Sequence, residues 1–248
     1  MTLKVYTKEY PSSFKRVARV LSHVVLVMGM LLLFWALYPM ISFELYARVF
    51  LKRSAMSPVP QSTTASAIEL AQSVYAGNTI FSSNLRDFTQ ANIWFPDSKL
   101  PVPKGDIKVL EYKLSIPRLN LYDLQVAVGG EDLSSSLIHY LPTSLPGQYG
   151  NVAIFGHSTL PQLFNAKDYK SVFTYLPKLD IGDSIQINME GKKYTYEVYD
   201  MFIVKPNEVS VLEQQFNAPY LTLVTCVPPG TYNERLIVKA RIVKNVLK

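Results

Sequence analysis

Tyr220-Leu221-Thr222-Leu223-Val224-Thr225-Cys226, followed nine residues after the cysteine by Arg235-Leu236-Ile237-Val238-Lys239-Ala240, decides how this chain is read. Both runs alternate with a period of two, the mark of strands with unlike faces. In the first, Leu221, Leu223 and Thr225 share one face; Tyr220, Thr222, Val224 and Cys226 share the other. In the second, Leu236, Val238, Ala240 and Ile242 lie opposite Arg235, Ile237, Lys239, Arg241 and Val243. Cys226 therefore need not point into the core, and Arg235 starts at the mouth of its strand. Cys226 is the single cysteine of a chain that reads as exported, where cysteines usually pair. A thiol beside a cation is expected to be held as thiolate, the form that attacks a carbonyl carbon.

Outward from this pair the same texture continues. Further strands are expected over 110–116, 122–128, 151–156, 184–189 and 193–204, and the two opening runs extend to 220–226 and 235–243. Glu190-Gly191 reads as a hairpin turn. Gly129-Gly130 ends one strand, and Glu131–Tyr140 reads as a short helix. About seven strands with little helix predict an all-β domain, a closed or nearly closed barrel or a sandwich.

Val20–Phe43 is 24 residues without a formal charge, enough to cross a bilayer as a helix. Five cations precede it (Lys4, Lys8, Lys15, Arg16, Arg19) and three follow (Arg48, Lys52, Arg53), which favours a cytoplasmic N-terminus. The A-x-A-like site Ala65-Ser66-Ala67 lies too far downstream for a cleaved signal peptide, so the run reads as an uncleaved anchor. Residues 1–53 carry 8 Lys/Arg and 2 Asp/Glu, which is the whole net charge of +6; residues 54–248 balance at 17 and 17. The basic character belongs to the membrane flank and an anionic bilayer, and nucleic-acid binding is set aside.

The expected organisation is a basic cytoplasmic segment 1–19, a transmembrane anchor 20–43, an extracellular linker 44–105 and a folded domain 106–248. Prolines 58, 60, 96, 101 and 103 punctuate the linker, and Ala67–Tyr75 reads as a short helix within it. Its 52 residues from 54 to 105 span roughly 40 Å as a coil, which suits a stalk or a lid equally.

His139 and His157 are the histidines outside the anchor, which holds His23. His157 ends the apolar run Asn151-Val152-Ala153-Ile154-Phe155-Gly156, after a glycine that lets the backbone turn; His139 reads as a packing or capping residue of its short helix. His157, Cys226 and Arg235 converging on one mouth would supply acid–base, nucleophile and oxyanion partner for acyl transfer. No cofactor or metal is called for: Asp180, Asp183, Glu190 and Glu213 have no ligand spacing.

The stretch Thr222–Cys226, with Val227-Pro228-Pro229-Gly230 and Arg235–Val238 after it, resembles the signature of sortases. So do Leu145–Gly150 with Asn151–His157, and Leu114-Ser115-Ile116-Pro117 as the opening of a core. The resemblance covers about 106–248. It implies a closed, sortase-type β-barrel of about eight strands with short helices, behind the N-terminal transmembrane helix. It implies a cysteine transpeptidase acting on exported proteins that bear an LPXTG-like C-terminal sorting motif. Cys226 would form the thioacyl enzyme, His157 would serve the leaving and incoming amines, and Arg235 would hold the oxyanion or the substrate backbone. The partners implied are such exported proteins, an amine acceptor of cell wall or pilin, and the bilayer. The short, proline-rich Cys-to-Arg connection is similar to class D or E types, and pilin polymerisation is disfavoured. An L,D-transpeptidase would show an S-H-G-C-like cluster that is missing here. A non-catalytic, membrane-tethered β-domain for adhesion or scaffolding would have no use for the three residues at one cleft.

Overall fold

In this computed structural model, which describes residues 13–53, 94 and 111–243, the alternating runs become the staves of a closed barrel. A helix, α1 (Ser13–Phe50), leads into a two-residue strand, β1 (Lys52–Arg53). The barrel strands are β2 (Glu111–Ile116), β3 (Leu121–Val128), β4 (Leu137–His139), β5 (Gly150–Phe155), β6 (Ser184–Met189), β7 (Lys192–Val204), β8 (Pro219–Val227) and β9 (Glu234–Ile242). Their order is β7-β6-β2-β3-β4-β5-β8-β9, and β9 pairs back onto β7 to close eight strands. The 13-residue β7 makes closure possible. Its first half pairs with β6; from Tyr196 onward it pairs with β9, through a register shift between Val198 and Asp200, and its end also pairs with β1. Closure removes the free edges of an all-β sheet.

The seven expected strands are present, with ends shifted by a residue or two. Glu190-Gly191 is the β6–β7 turn, with φ of 52° and 74°, the left-handed pair that a two-residue hairpin of this hand requires. The expected helix over Glu131–Tyr140 is a correction: Leu137–His139 forms β4, parallel to β3 and antiparallel to β5. Asp132 accepts from the Ser134 amide and hydroxyl, a side-chain turn that competes with helix and delivers the chain to the sheet. His139 therefore caps no helix. It is wholly buried on β4, with Nδ1 at 2.8 Å from the Tyr112 hydroxyl and Nε2 at 3.0 Å from Thr143 Oγ1, and burial lowers its pKa to about 4.

Alternation sorts the side chains into two apolar clusters. Leu114, Ile116, Val126, Val152, Ile154, Leu221, Leu223, Leu236, Val238 and Ala240 fill the interior. Ala153, Phe155, Val224, Cys226 and Ile237, on the opposite faces of β5, β8 and β9, form a second cluster with Trp94, Leu133, Val204, Val211 and Leu212. The chain divides into two compact units after Ser42. In the first, α1 is apolar on every side, with Leu31, Leu33, Phe34 and Trp35 exposed. Among the described residues it is the one helix long and apolar enough to cross a membrane, over Arg16–Ala47. In the second unit, Phe43, Ala47 and Leu51 join the interior cluster. The expected Ala67–Tyr75 helix and most of the 44–105 linker lie outside the described residues.

Candidate active site

β8 and β9 are joined by the short connection Pro228–Asn233, so their antiparallel register is fixed close to the turn. That register makes Cys226 and Arg235 direct cross-strand partners. On the other side of β8, β5 runs parallel, with Phe155 beside Val224; the Gly156 amide continues the ladder to the Val224 carbonyl at 3.1 Å. Thr225 Oγ1 donates to the Gly156 carbonyl at 2.8 Å, and Ser158 Oγ donates to the Cys226 carbonyl at 2.6 Å. These bonds clamp the 156–158 segment, and His157 with it, along the end of β8. Gly156 is required there: a Cβ would come within 2.5 Å of Phe173 and 2.6 Å of Leu137. The fold thus flanks Cys226 on β8 with the His157 segment on one side and Arg235 of β9 on the other.

Trp94 covers them. It is 1% exposed, stacks on Phe155 at 5.6 Å, and sets its ring 5.7 Å from the His157 ring. The Arg235 guanidinium carbon lies 5.3 Å from the same indole, and Nη2 donates to the Trp94 carbonyl at 3.4 Å. Arg235 Nη1 donates to the Tyr232 and Glu234 carbonyls at 3.0 and 3.3 Å, which holds the guanidinium against its own loop. Two buried nitrogens, His157 Nε2 and Arg235 Nε, have no hydrogen-bond partner among the described residues. Such orphans cost about 1–3 kcal/mol each and call for a reason.

The protonation state corrects the sequence reading. Cys226 is 1% exposed, and burial pushes its thiol up to about 11 although Arg235 pulls the other way. Burial likewise pulls His157 down to about 4, against a smaller opposing effect of Asp132. Both shifts favour the uncharged forms at neutral pH, a thiol and a neutral imidazole, over a thiolate. The Arg235 strand face, polar by its sequence, is covered as well, with Arg235 only 3% exposed. A cleft of about 570 Å³ opens beside the same loop, lined by Glu44, Lys205, Pro206, Asn207, Pro228, Asn233 and Glu234.

All three residues singled out from sequence, His157, Cys226 and Arg235, adjoin this one covered site. Trp94 was not singled out. Its signal was an isolated run, Asn92-Ile93-Trp94-Phe95, holding one of two tryptophans in an otherwise polar, proline-marked stretch. Among the described residues no three His, Cys, Asp or Glu side chains gather as a metal site.

Comparison with known proteins gives one answer. A family model described as a sortase domain matches residues 114–243. Sortase D of Bacillus subtilis is 26% identical over 117 residues, covering 46% of this chain and 53% of that protein. Sortase SrtE1 of Streptomyces coelicolor is 30% identical over 151 residues, covering 53% of this chain and 40% of that protein. The chain thus spans about half the length of the curated relatives it matches. A pilus-related sortase C structure from Group B Streptococcus superposes with a TM-score of 0.50 at 24% identity, over 62% of this chain and 79% of that one, a likeness of fold.

Proposed function

The chain belongs to the sortase family, and on that premise we propose that it is a membrane-tethered cysteine transpeptidase that cuts an LPXTG-like sorting motif and passes the acyl group to an amine. The observation that carries this reading is the cross-strand pairing of Cys226 with Arg235, with His157 clamped alongside. The His157 Nε2 and Arg235 Nε nitrogens, without a hydrogen-bond partner among the described residues, fit a site whose remaining partners arrive with substrate.

The proton accounting follows from the resting state. With a neutral pair, His157 acts first as general base: it takes the Cys226 proton as sulfur attacks the carbonyl carbon of the motif's threonine. Arg235 donates to the developing oxyanion or to the substrate backbone; one such donor is worth roughly 10²–10³ in rate. The imidazolium then protonates the leaving amine as the C–N bond breaks, leaving the acyl group on sulfur. An incoming neutral amine attacks the thioester, gives its proton to His157, and the released thiolate recovers that proton. Acyl energy is conserved on sulfur throughout, so no nucleotide is consumed. Water in place of the amine gives hydrolysis.

The cleft beside Pro228–Glu234 is a place for the acceptor: its Glu44 and Glu234 carboxylates attract an amine, with Lys205 opposing them. A wall precursor or a pilin lysine would present such a group. The apolar α1 fits a single-pass anchor, and the cation excess before it supports an N-terminus in the cytoplasm with the barrel outside. The likeness to Sortase D and Sortase SrtE1 supports a class D or E-like enzyme.

The test is acyl-enzyme trapping. The full chain in detergent micelles is incubated with a library of LPXTG-like peptides, with and without a primary amine, and read by intact mass. The expected result is a Cys226 adduct that the amine converts to product, and Cys226→Ala gives neither. A chain that acylates no peptide, or a Cys226→Ala variant that still turns over, refutes the reading.

A further inference from the structure

Lys239 lies on the same face of β9 as Arg235 and Ile237, and the reaction above has no use for it. A lysine on a covered strand face is costly unless its ammonium is bonded. Its Nζ donates to the Val211 carbonyl at 2.6 Å. That oxygen also accepts from Asn151 Nδ2 at 3.3 Å, and Asn151 Oδ1 in turn accepts from Thr222 Oγ1 at 2.6 Å. Gln214 completes the arrangement: its Oε1 accepts from the Asn151 amide and Ser144 Oγ, each at 3.0 Å, while its Nε2 donates to the Asn151 and Leu212 carbonyls. Side chains of β5 and β9 therefore grip one short piece of backbone, and Thr222 of β8 steadies the first of them.

That piece is the 3-10 turn Val209–Leu212 and the two residues after it. It has no side-chain cap of its own, and four residues of 3-10 helix do not hold themselves. Yet Val211 and Leu212 pack into the cluster that contains Cys226, Phe155, Val224 and Ile237. The turn walls one end of the apolar surface whose other end is covered by Trp94. An ammonium suits this task because a charged donor bonds a carbonyl about twice as strongly as a neutral one.

We propose, resting on the transpeptidase reading, that Lys239 is a positioning residue for substrate: it acts through the Val211 carbonyl to fix the wall against which the apolar part of the sorting motif packs. Its effect falls on binding and not on the chemical step, because it bonds backbone far along β9 from the Cys226–Arg235 pair. Burial draws the amine down to about 8, against Asp200 on β7 and Glu213 after the turn, which favour the ammonium. The grip therefore weakens as pH rises through that value.

The test compares Lys239→Met and Lys239→Arg with the parent, all as full chains in micelles. Two measurements are made: acyl transfer from the best peptide, and hydrogen exchange of the Val209–Gln214 amides. Met keeps the length and removes the charge. It is expected to raise KM about tenfold or more, the size of one lost charge-assisted bond, with kcat within about threefold. It should also speed exchange over the turn and flatten the rise of KM above pH 8. Arginine should restore much of the KM. If Lys239→Met does not fold, Gln214→Ala, on a half-buried side chain, should move KM and exchange in the same sense. Unchanged exchange overturns the inference whatever the activity. So does an unchanged KM, or a loss confined to kcat. A parent that acylates no peptide, yet shows faster turn exchange in Lys239→Met, sinks the transpeptidase reading and keeps the grip.

Discussion

Removing the indole of Trp94 should make Cys226 reactive. The ring lies on His157 and Arg235 and shares the apolar cluster that seals the sulfur, so Trp94→Ala admits water to the thiol. Burial is what lifts the thiol from its ordinary 9 to about 11; Arg235 works in the other direction. With the cover gone the thiol should return at least to about 9, which raises the thiolate fraction at pH 7 about a hundredfold. A less basic sulfur is a poorer nucleophile, with a Brønsted slope near 0.4–0.5, which takes back roughly a factor of ten. Ionisation alone therefore predicts about a tenfold faster alkylation, and easier access adds to it. The assay is the second-order rate of iodoacetamide modification at pH 7, read by intact mass, with Cys226→Ala as the blank. Near-ultraviolet dichroism of the variant checks that the barrel is intact. A folded Trp94→Ala whose sulfur reacts no faster than the parent's would refute the reasoning, because something other than the indole would then be the seal.

Two further outcomes follow from the same geometry. Arg235→Lys keeps a cation opposite Cys226 but loses the fork that bonds the Trp94, Tyr232 and Glu234 carbonyls; acyl transfer should fall roughly 10²–10³-fold in kcat/KM, measured with the trapped-peptide assay. His139 is held neutral, near 4 when folded against an ordinary 6.5, so the unfolded chain binds the extra proton between those values. Its contribution is full above pH 6.5 and is lost as pH falls towards 4, by about 3 kcal/mol. Tm should drop over that window, and His139→Gln should show a smaller drop. An equal drop in the variant would assign the effect elsewhere, His157 being the next candidate since it shifts in the same direction.

Much of this architecture was legible because alternation survives in sequence wherever a strand is long enough to repeat it. Leu221, Leu223, Leu236, Val238 and Ala240 fall on the interior side as their period predicts. The Cys226–Arg235 pairing was implied by two strands joined by a short connection. β4 was not legible: three residues buried on both faces carry no alternation, and the stretch Glu131–Tyr140 that holds them read as a short helix. The ionisation of Cys226 was misread for a different reason. Its cation is local in sequence, but the cluster that buries it gathers residues as distant as Trp94, 132 positions upstream, and Leu133. Lys239 looked like an ordinary strand charge because the carbonyl it grips lies 28 residues back.

Cys226 and Arg235 sit on adjacent staves, spaced by the ladder and not by the residues that join them. Thr231 folds the joining segment back on itself by donating from its amide and hydroxyl to the Pro228 carbonyl. An insertion at the tip of that segment can thus remodel the rim of the adjoining cleft while leaving Cys226 and Arg235 in register. The joining tip can thus vary while the cross-strand pair stays fixed, and on the transpeptidase reading foreign tips grafted here are the natural route to altered peptide choice.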